Sequence, residues 1–172
     1  MTNILKGLFF ILVLINMAQA KTFSIEDGAI SFDAPKGFEL MPPELIQIKY
    51  PKGNPPSNAL INESTETSIV FDLRGKSIAQ SDIEKVRMAY ESTYKRIVGG
   101  FELKVNKTAH ISGQKWAQLE FISNTIDSKV YNILLVTGYK NKMLIFNFNS
   151  TLKEFEDYKS AFKKSIKSIT LK

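Results

Sequence analysis

The stretch KVYNILLVTGYKNKMLIFNFN, residues 129–149, decides the fold. Read at the two-residue period of a strand, Val130, Leu134 and Val136 fall on one face, and Tyr131, Ile133 and Leu135 on the other. A strand with no polar face belongs in the middle of a sheet that is covered above and below. Lys140-Asn141 forms a turn, and Met143-Leu144-Ile145-Phe146 then repeats the two-sided pattern. The stretch therefore predicts a central hairpin that needs a layer on each side.

Two helices supply those layers. Ser81 and Glu84 have the spacing of a capping box, in which each side chain satisfies a free backbone N–H at a helix start. Ile83, Val86, Tyr90, Tyr94 and Ile97 follow along one stripe, and Gly99-Gly100 ends the helix. Thr151 and Glu154 repeat the capping spacing ahead of Leu152, Phe155, Tyr158, Phe162, Ile166 and Ile169. In that second helix acidic residues come early and Lys163, Lys164 and Lys167 late, as the helix dipole favours.

Strands account for the rest. Phe23–Ile25 and Ala29–Phe32 flank Asp27-Gly28 as a hairpin. Ile46, Ile48 and Tyr50 alternate with polar residues and predict a half-buried strand over Leu45–Tyr50. Residues 51–58, PKGNPPSN, read as a loop, with strands again at Ala59–Ile61 and Ser68–Leu73. From Phe101 to Asn149 the chain reads as four strands, the first carrying Phe101, Leu103, Val105, Ala109 and Ile111 on one face with Lys107 as an exception. The fold class is α+β: an α/β/α sandwich in which a twisted, mainly antiparallel sheet has helices on both faces.

The N-terminus supplies Lys6, an apolar run from Leu8 to Ile15 and Ala18-Gln19-Ala20, the layout of a secretory signal peptide. Residues 1–20 are expected to be a leader cleaved after Ala20, leaving residues 21–172 as a single soluble domain in the periplasm or outside the cell. The absence of cysteine excludes disulfides, thiol nucleophiles, thiolate metal sites and a lipidated cysteine. The formal charge is +6, falling to +5 without Lys6, and nearly all of it is lysine. Nucleic-acid readers favour arginine, so no nucleic-acid partner is expected; the lysines, alternating with acidic residues over much of the chain, read first as a solvated surface and second as a modest attraction to anionic lipid or an acidic partner.

In order, SFDAPKGFEL, IKYP, a Pro/Asn loop, IVFDL, a helix ending in Gly-Gly, the His-Ile-Ser-Gly hairpin and the closing run from Lys129 onward resemble the PsbP-like superfamily, including its DcrB-type bacterial periplasmic proteins. The resemblance implies an α/β/α sandwich over residues 21–172. It also implies a non-catalytic role, since members are mostly accessory subunits, transport cofactors, envelope proteins or chaperones. DcrB-like members are typically lipoproteins, from which this chain departs by lacking the cysteine. No functional residue carries over.

No nucleophile elbow, calcium loop, Walker loop or dinucleotide fingerprint occurs. His110, the only histidine, cannot by itself build a usual zinc site. No catalytic, metal or cofactor residue is therefore expected. The leading expectation is an exported, non-catalytic binding or accessory protein of the bacterial envelope. The alternatives are a periplasmic immunity or effector-associated protein and a secreted hydrolase using paired carboxylates.

Two places are candidates for partner contact. One is the 51–58 loop, through Asn54, Pro55 and Pro56. The other is HISGQKW, residues 110–116, which holds the only histidine and the only tryptophan. A three-residue loop, Ser112–Gln114, would pair Ala109 with Ala117 and Val105 with Phe121, gathering the apolar residues on one face. His110 would then face Trp116 on the other, either as cross-strand packing or as an aromatic contact patch.

Overall fold

The computed structural model describes residues 20–51, 55–75 and 77–172. The expected leader up to Gln19, together with Asn54, lies outside the described residues. A hairpin of β1 (Lys21–Ile25) and β2 (Ile30–Ala34) is followed by β3 (Glu39–Leu40), α1 (Pro43–Lys49), β4 (Asn58–Ile61) and β5 (Thr67–Arg74). A 3-10 turn, Gln80–Asp82, leads into α2 (Ile83–Ile97). Then come β6 (Glu102–Ile111), β7 (Gln114–Asn124), β8 (Lys129–Tyr139), β9 (Lys142–Thr151), α3 (Leu152–Ser168) and β10 (Thr170–Leu171).

The two-sided hairpin is the centre of the molecule. β8 and β9 are the middle strands of a seven-stranded antiparallel sheet in the order β3-β4-β5-β9-β8-β7-β6. On one face Ala117, Leu119, Phe121, Leu134 and Val136 are covered by Ile83, Val86, Tyr90 and Tyr94 of α2. On the other, Leu135, Phe146 and Phe148 meet Phe155 and Phe162 of α3. Burying a phenylalanine such as Phe162 completely stabilises the fold by about 1.5–3 kcal/mol. A small sheet, β1-β2-β10, lies beside α3. Its Phe32 ring sits edge-on at 5.1 Å from Phe71 and 5.2 Å from Phe146. α1 covers the far end of the α2 face, with Ile46 against Ala59 and Ile61.

Four local expectations are corrected. Leu45–Tyr50 is not a strand but most of α1: Pro43 sits in its first turn, where a missing N–H costs nothing. Ile46 is buried while Ile48 is 73% exposed, so the short alternation did not mark a face. Neither capping box forms. Ser81 lies within the 3-10 turn, and Glu84 bonds Arg87 and Thr108 instead. Thr151 does occupy the N-cap of α3, but its hydroxyl donates to Glu66 and the Glu154 carboxylate is taken by Asn62 and Thr67. Ile97, expected on the apolar stripe, is 70% exposed at the last turn of α2.

The fourth correction concerns β6. Its pairing with β7 shifts between Leu103 and Val105, a bulge at Lys104. An extra residue reverses the facing of everything beyond it. Leu103 pairs with Phe121 on the α2 face, whereas Val105, Lys107 and Ala109 pair with Glu120, Gln118 and Trp116 on the α3 face. The apolar residues of β6 therefore do not share a face, and Lys107 has company in Gln118 and Glu120.

Candidate functional site

The turn after Ile111 has two residues, Ser112 and Gly113, both left-handed at φ 49° and 74°. That is a type I′ turn, whose twist matches the flanking strands. It pairs Ile111 with Gln114, His110 with Lys115 and Ala109 with Trp116. His110 and Trp116 therefore lie on opposite faces of the sheet, and the expected pair does not exist. Trp116 is 0% exposed in the α3-side core, where its indole N–H donates to the Ile111 carbonyl at 3.0 Å. His110 is exposed. Gathering the apolar residues onto one face misled because both faces of β7 are covered at this end. In the other candidate segment Pro56 is buried, so it is not an exposed contact, and Pro55 is half-buried.

The structure brings together a different set. α2 lies over β6 and β7 on one face, but on the other α3 packs against β2, β8 and β9 and stops short of β6. Between α3 and that uncovered edge runs a groove with a volume of about 360 Å³. Lys159, Lys163 and Lys167 line one wall, spaced four residues apart and so stacked on one side of the helix. Lys107, Gln118 and Glu120 form the opposite wall, with Tyr131, Ile133, Phe155 and Ile166 between them.

A chain of contacts fixes this floor. The Lys159 ammonium lies 5.8 Å from the centre of the Phe155 ring. Phe155 stacks on Tyr131 at 3.8 Å and 14°. The Tyr131 hydroxyl donates to Glu120 Oε2 at 2.8 Å, and Gln118 Nε2 donates to Glu120 Oε1 at 2.6 Å. Burial raises the Tyr131 pKa, and the bond to Glu120 raises it further, so the phenol remains a donor at any ordinary pH. Each Glu120 oxygen thus has a partner, and of the four lysines that line the groove Lys159 is paired with Glu156 at 3.2 Å. Such a lining is chemically suited to an anionic group beside an apolar one. It presents no nucleophile with a base to activate it, and among the described residues no three histidine or carboxylate groups gather as a metal site.

Charge balance separates this groove from a larger depression of about 610 Å³ beside the start of α3, where Lys49, Lys129 and Lys153 face Glu66 and Asp127. Another, of about 260 Å³ beneath α2, is mainly apolar, with Tyr90 donating to Met143 Sδ at 3.3 Å. Of these three, only the α3 groove combines one dominant sign of charge with an aromatic floor. Two signals for it lie in the sequence: the row Lys159, Lys163 and Lys167, and Lys107 interrupting an apolar pattern.

No protein-family profile and no curated protein matches the sequence. Solved structures do. Cyanobacterial PsbP (CyanoP) from Synechocystis sp. PCC 6803 superimposes with a TM-score of 0.62 at 15% identity, over 92% of this chain and 95% of that one. The chain has the PsbP/Mog1 fold. LpqN, involved in cell envelope biogenesis of Mycobacterium tuberculosis, matches with a TM-score of 0.58 at 14% identity, over 91% of this chain and 87% of LpqN. The Saccharomyces cerevisiae Ran-binding protein Mog1p matches at 0.55 and 14%, over 89% and 95%. The PsbP/Mog1 fold agrees with the resemblance read from motif order; at these identities it carries architecture, not site residues.

Proposed function

We propose that this chain is an exported, non-catalytic binding or accessory protein whose contact surface is the groove between α3 and the β6–β7 edge. The observation that carries this reading is the groove left between α3 and the Lys107, Gln118 and Glu120 stretch of β6 and β7, where four lysines line a stacked aromatic floor. A purely structural surface gains little from gathering like charges, because their mutual repulsion destabilises the folded state. Mog1p as a Ran-binding protein and LpqN in envelope biogenesis are cases in which the same fold serves binding and envelope functions. The leader-like residues 1–20 support export to the periplasm or beyond.

Photo-crosslinking tests the contact surface. A benzophenone amino acid at Lys163 is expected to trap a discrete partner in envelope fractions, while the same group at Lys85 on α2 is not. Equal trapping at both positions would retire the groove as the contact surface. N-terminal sequencing of the exported protein is expected to begin at Lys21; an intact Met1 would overturn cleavage.

A further inference from the structure

We infer that the groove recognises an acidic segment of a partner protein, one carrying Asp or Glu side chains beside apolar ones. This rests on the binding reading above and adds the chemistry of the occupant. Lys107 on the sheet side and Lys163 and Lys167 on the helix side face each other across the groove, with Ile133, Phe155 and Ile166 between them. A carboxylate entering from solvent meets ammonium groups on both walls, and an adjacent leucine-like side chain meets the apolar floor.

The arrangement favours a protein segment over a lipid surface. The lysines line a concavity, whereas α3 also carries an exposed Asp157 outside it, beside Ala161 and Lys164, and Glu102 stands exposed at the start of β6. A flat anionic membrane would meet those carboxylates as it approached the helix. A segment lying within the groove meets Glu120, whose two oxygens are already engaged by Tyr131 and Gln118, and at the Lys159 end Glu156, already paired with that lysine at 3.2 Å, while Lys107, Lys163 and Lys167 remain to receive it. Strand addition at the open edge of β6 is also opposed, because the bulge at Lys104 and the edge lysines blunt that edge.

The test uses residues 21–172 and a short fluorescein-labelled peptide rich in glutamate and leucine, with its glutamine–leucine counterpart, read by fluorescence anisotropy. The triple variant K107Q/K163Q/K167Q is expected to bind the acidic peptide about tenfold more weakly, equivalent to ~1.4 kcal/mol. A charge-matched control, K36Q/K95Q/K115Q, alters exposed lysines away from the groove and is expected to bind within about twofold of wild type. Thermal melts of both triples check folding. Equal loss in the control, or equal binding of the neutral peptide, would overturn the proposal. So would groove-dependent binding of phosphatidylglycerol vesicles without binding of the peptide. If crosslinking at Lys163 succeeds while the acidic peptide fails, the class of occupant is wrong and the contact surface stands; failure of both removes both.

Discussion

Replacing Gly138 by alanine probes the packing that holds α2 against the sheet. A β-carbon at Gly138 would stand 1.8 Å from the Ile78 carbonyl oxygen and 2.9 Å from its carbon. An ordinary carbon–oxygen contact is about 3.3 Å, so the main chain at Ile78 would have to retreat by roughly 1.5 Å. No rotamer change relieves a clash with backbone. Nor is the segment free to move, because Gln80 latches it to β7 and β8. Gln80 Nε2 donates to Thr137 Oγ1 at 2.9 Å and to Gln114 Oε1 at 3.0 Å, and its Oε1 accepts from the Lys115 N–H at 2.8 Å.

Overpacking of this kind costs about 1–3 kcal/mol, and each Gln80 bond given up adds about 0.5–1.5 kcal/mol. Alanine returns about 0.4–1 kcal/mol by restricting the unfolded chain. The net expectation for Gly138→Ala is a loss of about 2–4 kcal/mol. Trp116, the only tryptophan and fully buried, reports urea unfolding directly. With a urea slope of about 2 kcal/mol per molar, the midpoint should fall by about 1–2 M. Gly99 is the control: a methyl group there would meet nothing within 4 Å, and its φ is not left-handed. Gly99→Ala should leave the midpoint unchanged or slightly higher. A Gly138→Ala midpoint within about 0.3 M of wild type would refute the close approach.

Three further substitutions concern side chains the sequence singled out. Trp116→Ala should cost about 3–5 kcal/mol, read by circular dichroism because the fluorophore is lost, whereas His110→Ala should stay within about 0.5 kcal/mol; comparable effects would mean that the two rings share an environment after all. Burial alone would raise the Glu154 pKa, but bonds from Thr67, Ser64 and Asn62 outweigh it and hold the carboxyl below its usual value. The unfolded chain takes up that proton near pH ~4.3, so the stabilisation is complete above this value and is lost as pH falls through the lower, folded one. Urea midpoints between pH 7 and pH 3 should therefore fall less steeply for Glu154→Gln than for wild type, and parallel slopes would exclude Glu154 from the acid response.

How much of this the sequence showed depended on how many independent constraints each segment carried. The β8–β9 hairpin was legible because two-sided apolar runs admit few placements, and α3 because five of its six stripe positions, all but the 39% exposed Leu152, meet the core. α1 was not, because seven residues with Pro at the start satisfy two periods almost equally well. The HISGQKW register failed for a tertiary reason. Ser112 and Gly113 accept left-handed backbone, and the register that results splits apolar residues between two cores instead of one. The bulge at Lys104 has no local marker, since it leaves the alternation of residue types intact while reversing its meaning. The groove inherits that difficulty: Lys107 joins the α3 face only once the bulge and the turn are both known.

Glu120 offers a separate reading of the groove's electrostatics. It shares the groove with four lysines, of which Lys159 is paired with Glu156, yet both of its oxygens are already taken by Tyr131 and Gln118. If its main effect on an acidic occupant is repulsion, removing the charge should tighten binding even though it deletes an oppositely charged neighbour of the lysines. Glu120→Gln retains an oxygen for the Tyr131 hydroxyl, and the Gln118 amide can turn to offer its own oxygen to the new NH₂ group. Stability should then change by less than about 1 kcal/mol, while the glutamate–leucine peptide binds about two- to fivefold more tightly, the range expected for one partly screened charge. Weaker binding with unchanged stability would mean that Glu120 works by holding the lysine ammoniums in position, and simple charge summation across the groove would fail. Screening distinguishes the two on the same samples: direct repulsion fades as salt is raised, so the affinities of wild type and Glu120→Gln should converge at high ionic strength, whereas a positioning defect should persist.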